Sequence, residues 1–337
     1  MGLVDVIFFL LIAAAIPLLA RRRWPRPIGL GLAGIGILAT VALLRLLFSP
    51  TVEGLVLVVR ILGAFAAVLA VSNMARQDMT LSVIWSTALT ALIQGSLVLT
   101  QVFVWKTGFI RGVEWDSWTA GHGTFNGPYT MAAFMVVAIG VMLSIGSFQR
   151  VPITIWVSAA VASAAVAGAY GRTGALALVA MAAIYAIGFA RHRRARLGLA
   201  AAVTVIPFAA IAFILRSAWT GRIAEAIGLN SSSRGALMSR ALEVIAYRPV
   251  FGVGPSGYAP ALAQMGLKDT DYALVHNVPM LAAAELGVVV GIALFVWLGL
   301  LGILSLRTSA YGAALFASLL PYLMLDNLNW LFAGGWV

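Results

Sequence analysis

The sequence predicts an all-α fold, a polytopic bundle of about ten transmembrane helices, from its composition and the length of its apolar runs. Of the 337 residues, 62% are hydrophobic and 10% are charged, a balance typical of integral membrane proteins. The apolar runs are about 18–25 residues long and do not alternate with a period of two, which favours helices over a β-barrel. Because the bilayer core offers the backbone no water, these are the two structures that can span it.

The chain is predicted to form a single integral membrane domain, residues 1–337. The spans are predicted at residues 3–20, 28–48, 54–74, 80–104, 126–148, 152–170, 173–190, 197–217, 277–304 and 310–332. The break Gly171-Arg172-Thr173-Gly174 is so short that it predicts a tight helical hairpin. The first segment lacks the basic start and the small-residue cleavage site of a signal peptide, so we predict that it is a retained helix.

The basic residues of the loops predict the orientation in the membrane. Those that follow odd-numbered spans are Arg21, Arg22, Arg23, Arg26, Arg76, Arg150, Arg191, Arg193, Arg194, Arg196 and Arg307. Since cytoplasmic loops are enriched in Lys and Arg, these loops are predicted to be cytoplasmic. Both termini, the 105–125 loop, the Arg172 hairpin and the 218–276 loop then face the periplasmic side of a bacterial inner membrane.

The 218–276 loop is too long for a passive connection. Ser232 or Ser233 can cap a helix that runs to about Tyr247 and ends before Pro249. Its apolar stripe is predicted to comprise Leu237, Met238, Ala241, Leu242 and Ile245. Such an amphipathic helix is expected to lie along the membrane surface and cover the bundle.

Composition also argues against several kinds of site. The chain has no cysteine, which excludes disulfides and thiolate metal ligands. The three histidines, His122, His192 and His276, are far apart and lack metal-ligand spacing, so we expect no metal site. The net charge of +11 lies mainly in short loops between apolar runs, where the positive-inside rule explains it better than nucleic-acid binding.

Several arginines on the predicted outer side are candidate anion ligands. Arg172 lies between glycines at a hairpin tip, where it can either bind lipid headgroups or hold phosphate oxygens through its planar guanidinium. Arg234, Arg240 and Arg248 lie along the amphipathic helix and at its end; at least one is expected to be solvated, and one can pair with Glu243.

Three further charges lie within the outer third of predicted spans. They are Arg45, Arg60 and Asp326. Charges at that depth usually face a protein interior or a wet cavity, and mutual ion pairing is the alternative.

The stretch "VHNVPMLAAAELG" places His276 and Asn277 at the start of an apolar segment. Asn277 can cap that segment, and His276 is either a headgroup anchor or a general base, because imidazole is the side chain best suited to accept a proton near neutral pH. On a straight helix Glu285 would lie about 13 Å below His276 and about 180° around the axis, facing other spans. Gly287 and Gly291 would form a smooth packing face.

Four motifs resemble the O-antigen ligase and polymerase superfamily of bacterial envelope glycosyltransferases. His276-Asn277, nine residues and Gly287 are similar to the His-Asn/Ser/Gln-x9-Gly signature of the ligases. "RGALMSRALEVIAYRPVFGVGPSGY" resembles the block that begins with an arginine, here Arg234. "YGRTGALAL" resembles the Arg-Ser/Thr-Gly turn, and "GTFNGPYTMAAF" the Gly-Thr-Phe-x-x-Pro-Asn block, with Tyr129 in place of asparagine.

The similarity extends over residues 120–330, with two departures. Met238 stands where the family has an aromatic residue. We predict about ten spans, whereas the ligases are generally assigned about twelve, so that two N-terminal spans of the family are expected to be absent.

The resemblance implies a GT-C-like enzyme that transfers a glycan from a polyprenyl (undecaprenyl) diphosphate carrier to an acceptor hydroxyl, without metal, cofactor or nucleotide sugar. Arg172 and Arg234 would hold the diphosphate and stabilise its developing charge. His276 would accept or orient the proton of the hydroxyl. Further substrate-binding candidates are Arg240, Arg248, Asn277 and Glu285. The partners implied are the lipid-linked donor, a glycan or lipid acceptor and membrane lipid.

Other functions stay open at this point. A polymerase of the same superfamily differs only in its acceptor. A peptidoglycan-type polymerase would need a catalytic aspartate in the outer loop, where Asp269 and Asp271 are available but their surroundings do not match. A flippase should show paired halves with interrupted helices, which we do not find in the sequence. A structural membrane subunit is the last alternative.

Aromatic residues on the outer side are candidates for stacking on sugars or for anchoring in the membrane. They are Trp115, Trp118, Tyr247 and Tyr258.

Overall fold

A computed structural model describes residues 26–48, 50–74, 77–105, 113–115, 118–125, 128–144, 151–189, 194–221, 230–267, 275–308 and 310–325. These residues are predominantly helical, as predicted. Span 3–20 lies outside them. One short antiparallel hairpin, β1 (Val113–Trp115) and β2 (Trp118–Ala120), departs from the all-α prediction, because the 105–125 loop pairs its own backbone.

The helices are numbered here in chain order. The first seven are α1 (Arg26–Phe48), α2 (Val52–Met74), α3 (Gln77–Phe103), α4 (Pro128–Leu143), α5 (Ile153–Gly168), α6 (Arg172–Phe189) and α7 (Arg194–Ile214). The next five are α8 (Asn230–Tyr247), α9 (Tyr258–Gln264), α10 (Val278–Leu286), α11 (Val288–Thr308) and α12 (Ala310–Leu325).

Three helical segments of the described chain are long and apolar enough to cross a membrane: Gly29–Phe48, Leu81–Phe103 and Val288–Arg307. Shorter apolar helical segments are Pro128–Leu143, Ile153–Gly168, Arg172–Tyr185, Thr204–Ile214 and Gly312–Leu325. Each predicted span from 28–48 onwards therefore contains helix in its described residues, and the number of spans stays a prediction. The tight hairpin is confirmed, since α5 ends at Gly168 and α6 begins at Arg172.

The chain folds into two compact units. Unit 1 comprises residues 1–75, 231–304 and 323–337, and unit 2 comprises residues 76–230 and 305–322. The core of unit 1 is built from α1, α2, α8, α9, α10 and α11, with Leu57, Tyr258 and Leu281 fully buried within it. Within this unit the indole Nε1 of Trp297 donates to the carbonyl of Leu30 at 3.0 Å.

Unit 2 packs helices closely through small residues. The second half of α5 is almost entirely alanine, glycine, serine and valine, and it is buried without a break from Ala162 to Gly168. A Cβ atom on Gly95 of α3 would lie 2.8 Å from the side chain of Val161, so α3 and α5 are in close contact at this point. Small side chains permit such approaches between apolar helices.

The predicted span 277–304 is wrong as a single helix. It is divided into α10 and α11 at Gly287, which has φ +104°. A Cβ atom on Gly291 would lie 2.4 Å from Cβ of Ala283, whereas residues eight apart on a straight helix are about 12 Å apart. The chain therefore turns sharply at Gly287, and α11 packs back against α10.

Helix α8 confirms the predicted helix of the 218–276 loop but differs in detail. It begins at Asn230, before Ser232 and Ser233. Among its described side chains the buried ones are Leu237, Ala241 and Val244, at spacings of four and three. The residues of the predicted apolar stripe differ in burial: Leu237 and Ala241 are buried, whereas Met238 and Leu242 are 48% and 58% exposed on the adjacent face.

Candidate functional site

The loop 249–257 of unit 1 is bonded to the break between α10 and α11. The N–H groups of Val253 and Gly254 donate to the carbonyls of Ala284 and Glu285, both at 2.9 Å. The N–H of Val288 donates to Pro249 at 2.8 Å. These bonds satisfy carbonyl and amide groups that a broken helix leaves without intrahelical partners. Two sequence motifs that are far apart in the chain thus form one backbone structure.

Glycines permit this approach. Gly252 has φ +64°, and a Cβ atom there would lie 2.4 Å from the carbonyl carbon and oxygen of Glu285. A Cβ atom on Gly287 would lie 2.1 Å from the carbonyl oxygen of Val250. Neither position can hold a side chain without displacing backbone, and both φ values favour glycine.

Glu285 is 2% exposed, and its Oε2 accepts the N–H of Ser256 at 3.0 Å. Ser256 itself has φ 57°, an uncommon conformation for a residue with a side chain. The carboxyl group of Glu285 therefore contacts the 249–257 loop, a contact that the sequence did not indicate.

Tyr258 follows this loop and is fully buried. Its hydroxyl has no hydrogen-bond partner among the described residues. Burial raises the pKa of Tyr258 to about 12; the charge of Arg240 acts to lower it, and those of Glu243 and Glu285 act to raise it. Tyr258 therefore interacts electrostatically with two predicted site residues, Arg240 and Glu285. The sequence indicated Tyr258 only as an aromatic residue for sugar stacking or membrane anchoring, although it is the last residue of the motif that begins at Arg234.

Asn277 caps α10 as predicted. Its Oδ1 accepts the N–H of Met280 at 2.9 Å, and its Nδ2 donates to the carbonyl of Met324 at 3.2 Å. His276 directly precedes this cap, is half-buried and has its Nδ1 atom enclosed by protein. His276 thus precedes the helix instead of lying on it, next to a backbone held by two hydrogen bonds.

Arg248 is exposed, and its guanidinium lies 5.5 Å from the centre of the Tyr247 ring. Arg45, near the end of α1, donates from Nη2 to the carbonyl of Gly252 at 3.1 Å and lies 5.7 Å from the centre of the Phe251 ring. Mutual ion pairing, one of the alternatives for Arg45, is not found among the described residues. The side chain of Arg60 and the whole of Asp326 lie outside them.

Arg172 belongs to unit 2, where it is the half-buried first residue of α6. The turn before it contains Tyr170, which has φ 51° and 2% exposure. A Cβ atom on Gly171 would lie 2.7 Å from Cβ of Ala132 in α4. The hairpin tip is therefore packed against α4, so the backbone that carries Arg172 is held in place.

The segment "GHGTF", residues 121–125, is held near this hairpin by hydrogen bonds. Gln101 of α3 is fully buried; its Oε1 accepts the N–H groups of His122 and Gly123 at 2.9 and 2.8 Å, and its Nε2 donates to the carbonyl of Gly123 at 3.0 Å. The N–H of Gly121 donates to the carbonyl of Gly168, at the end of α5, at 3.0 Å. Sequence analysis did not identify Gln101, since a lone polar residue on an apolar helix gives no indication of its partner.

Arg234 lies in α8, but its side chain is outside the described residues, as are those of Trp115 and Trp118. In unit 1 the described site comprises the 249–257 loop, the α10–α11 break, Tyr258, Arg240 and Glu285. No group of three or more His, Cys, Asp and Glu side chains able to hold a metal ion is present in the part of the chain that is described.

The long apolar helices indicate a helical membrane protein. Residues 157–296 match a family model described as O-antigen ligase. This match confirms the resemblance to the O-antigen ligase and polymerase superfamily and supports a function of that type. None of the curated proteins and none of the solved structures matches the chain.

Proposed function

We propose that this protein is a glycosyltransferase that moves a glycan from a polyprenyl diphosphate carrier to an acceptor hydroxyl, in the manner of an O-antigen ligase. The observation that carries the proposal is the family match over residues 157–296. That region contains all seven candidate residues: Arg172, Arg234, Arg240, Arg248, His276, Asn277 and Glu285.

The proposed reaction needs a cation for the leaving group and an acceptor for a proton. The hydroxyl oxygen of the acceptor forms a bond to the anomeric carbon of the donor sugar, and the bond from that carbon to the diphosphate oxygen breaks. Arg172 and Arg234 hold the diphosphate, which leaves on its lipid with the bonding electron pair. His276 takes the proton from the hydroxyl.

The local structure supports these roles. The cap at Asn277 fixes the backbone next to His276, and preorganisation of this kind favours positioned proton transfer. The packed turn at Gly171 fixes the backbone next to Arg172 in the same way. Arg240 and Glu285 interact electrostatically with the buried Tyr258, which supports a role for them in shaping the substrate site.

We also propose a membrane topology for the protein. The chain forms one integral domain with about ten spans in the bacterial inner membrane. The 218–276 loop lies on the periplasmic face, and the reaction proceeds there without a metal. The carrier lipid, undecaprenyl diphosphate in bacteria, reaches the site laterally from the bilayer.

A polymerase of the same superfamily is the second candidate, because it would use the same lipid-linked donor. The two differ in whether the acceptor is a lipid A core or a second lipid-linked glycan. A transporter of lipid-linked glycans is the third, and it would move the lipid without releasing the glycan.

The test uses purified protein in nanodiscs with a polyprenyl-diphosphate-linked glycan and a panel of acceptors, with and without a chelator. We expect glycan transfer coupled to release of polyprenyl diphosphate, and its loss in His276→Ala, Arg172→Ala and Arg234→Ala. Loss of one such electrostatic group reduces rates by about 100- to 1000-fold. The matched controls are His192→Ala and Arg307→Ala, which lie in or beside predicted cytoplasmic loops.

Full transfer by all three variants would overturn the site assignment. Movement of the lipid across the bilayer without transfer to any acceptor would overturn the enzyme assignment in favour of the transporter.

A further inference from the structure

Tyr170 has a backbone conformation that is unusual for its side chain. Its φ of 51° is in the left-handed region, which residues with a bulky side chain rarely adopt, and the residue is 2% exposed. Such a conformation persists only where the surrounding structure holds it, and it is frequent at functional sites. Tyr170 lies two residues before Arg172, the guanidinium proposed above to hold the diphosphate. The contacts that hold Tyr170 therefore bear on Arg172.

The backbone of this turn is bonded to the two helices that it joins. The N–H of Tyr170 donates to the carbonyl of Ala167, near the end of α5, at 3.0 Å. The N–H of Ala175, in the first turn of α6, donates to the carbonyl of Gly171 at 2.9 Å. These bonds involve backbone atoms, so the ring of Tyr170 depends on other contacts.

The ring of Tyr170 packs against Trp219, at the start of the 218–276 loop. The ring centres are 6.1 Å apart and the planes are tilted by 40°. Trp219 lies in a helical turn, residues 216–221, and meets Phe208 of α7 edge to face, with ring centres 5.4 Å apart and planes at 76°. Both separations are in the range at which aromatic pairs attract each other. Three stacked rings, all in unit 2, thus connect α7 and the start of the loop to the hairpin tip.

The indole of Trp219 acts through its shape. Its Nε1 atom is buried and has no hydrogen-bond partner among the described residues. A buried N–H group without an acceptor is costly, so hydrogen bonding does not explain why the indole lies here. Its contact with the ring of Tyr170 does, and a phenylalanine at this position would retain an aromatic ring.

We propose that Trp219 is a positioning residue for Arg172. Its ring holds Tyr170 in the left-handed conformation, and that conformation sets the direction in which the chain enters α6, of which Arg172 is the first residue. The first turn of the 218–276 loop thereby determines where the guanidinium meets the diphosphate. The role of Arg172 rests on the proposed function, whereas the contact of Trp219 with the hairpin does not.

The kinetic test measures the donor and the acceptor separately. Steady-state glycan transfer by the purified protein in nanodiscs gives kcat and a KM for each substrate. We expect Trp219→Leu to raise the KM for the lipid-linked donor about tenfold and to leave the KM for the acceptor unchanged, since a small displacement of a positioned group can cost about 100-fold. A variant that only lost folded protein would show a lower kcat and two unchanged KM values.

Three further variants test the route through Arg172. Trp219→Phe should keep the donor KM near that of wild type, because it retains a ring. Trp85→Leu is the matched control: Trp85 is a tryptophan of α3 that is 38% exposed, and its substitution should change neither KM. In Arg172→Lys, the added change Trp219→Leu should raise the donor KM less than it does in wild type, because residues that act through one group are not additive. Trp219→Met, which also lacks a ring, replaces Trp219→Leu if that variant does not fold.

Hydrogen exchange tests the contact with the hairpin in the absence of substrate. The amides of Tyr170 and Ala175 should exchange faster in Trp219→Leu than in wild type. The amide of Val104, which donates to Thr100 at the end of α3, should exchange at the same rate in both proteins.

An unchanged donor KM in Trp219→Leu, or an equal rise in wild type and in Arg172→Lys, would overturn the role of Trp219. A donor KM as high in Trp219→Phe as in Trp219→Leu would show that the aromatic ring is not what matters and would overturn it too. A wild-type protein that transfers no glycan would contradict the proposed function instead. The positioning of the hairpin would then be judged by hydrogen exchange, and unchanged exchange at Tyr170 and Ala175 would overturn it.

Discussion

The side chain of Glu285 accepts a hydrogen bond from the backbone N–H of Ser256 at 3.0 Å, although 29 residues separate them in the chain. The bond joins the Gly-rich loop, residues 249–257, to the end of α10, next to the break between α10 and α11. The motif that begins at Arg234 and the motif that begins at His276 therefore depend on each other for their conformation. Substitution of Glu285 should disturb a loop that contains none of the predicted catalytic residues.

We expect Glu285→Ala to lower the free energy of unfolding by about 1.5–3 kcal/mol, the value of a hydrogen bond to a charged group. Glu285→Gln keeps an acceptor oxygen and should lose less. Hydrogen exchange of the Ser256 amide should accelerate in Glu285→Ala. Unchanged exchange at Ser256 in that variant would contradict the role assigned to the bond.

Gly252→Ala and Gly287→Ala should each destabilise the protein, because the added Cβ atom meets backbone and the φ angle is positive. Backbone strain alone costs about 1–3 kcal/mol, and the steric clash adds to it. The midpoint of thermal unfolding in detergent measures the effect. Gly299→Ala is the matched control: its Cβ atom would meet no atom within 4 Å, so the midpoint should stay equal or rise. Equal effects at all three glycines would disprove the steric explanation.

The raised pKa of Tyr258 predicts a specific loss of stability in alkali. In the unfolded chain its hydroxyl ionises near pH 10, whereas in the folded protein its pKa is about 12. Between these values the unfolded state binds fewer protons, so the free energy of unfolding decreases as the pH rises. Tyr258→Phe should lack this contribution and should be at least as stable at neutral pH, because the hydroxyl has no partner among the described residues.

Thermal unfolding of wild type and Tyr258→Phe from pH 9 to pH 12 measures how the stability of each protein changes with pH. The other tyrosines and the lysines affect both proteins alike, so the difference between the two curves belongs to Tyr258. Parallel curves over that range would contradict the prediction.

Gln101→Leu should release the 121–125 segment, since it leaves two N–H groups and one carbonyl without the partners they have now. Each buried group left unsatisfied costs about 1–3 kcal/mol. Gln101→Glu keeps the acceptor for both N–H groups but loses the donor to Gly123, so its loss should be smaller. Faster hydrogen exchange at the amides of His122 and Gly123 would show directly that the segment has been released. Protection equal to wild type in Gln101→Leu would show that other contacts hold the segment.

Asn277 makes two bonds that substitution can separate. Asn277→Ala should cost about 1 kcal/mol for the cap, with a further loss at Met324. Asn277→Asp retains the acceptor for the N–H of Met280 and loses the donor to Met324. If the cap orients His276, transfer should fall more in Asn277→Ala than in Asn277→Asp. The reverse order would assign the functional effect to the contact with Met324.

The sequence by itself determined the class of the protein, most helices and the order of the motifs. Those features depend on local chemistry: long apolar runs must become helices in a bilayer, Asn277 caps the helix that follows it, and the glycines beside Arg172 make a hairpin. The sequence also placed an amphipathic helix before Pro249, because the apolar spacing is read within one helix.

Only the tertiary structure decided that α10 and α11 are separate, that Glu285 faces the Gly-rich loop and that Met238 is exposed on α8. It also brought Arg45 to Gly252, 207 residues away in the chain. Periodicity within one segment indicates which residues share a face of the helix, but it does not indicate which other segment that face contacts. The turn at Gly287 depends on backbone bonds to Val253, Gly254 and Pro249, and these form only after distant segments have packed together.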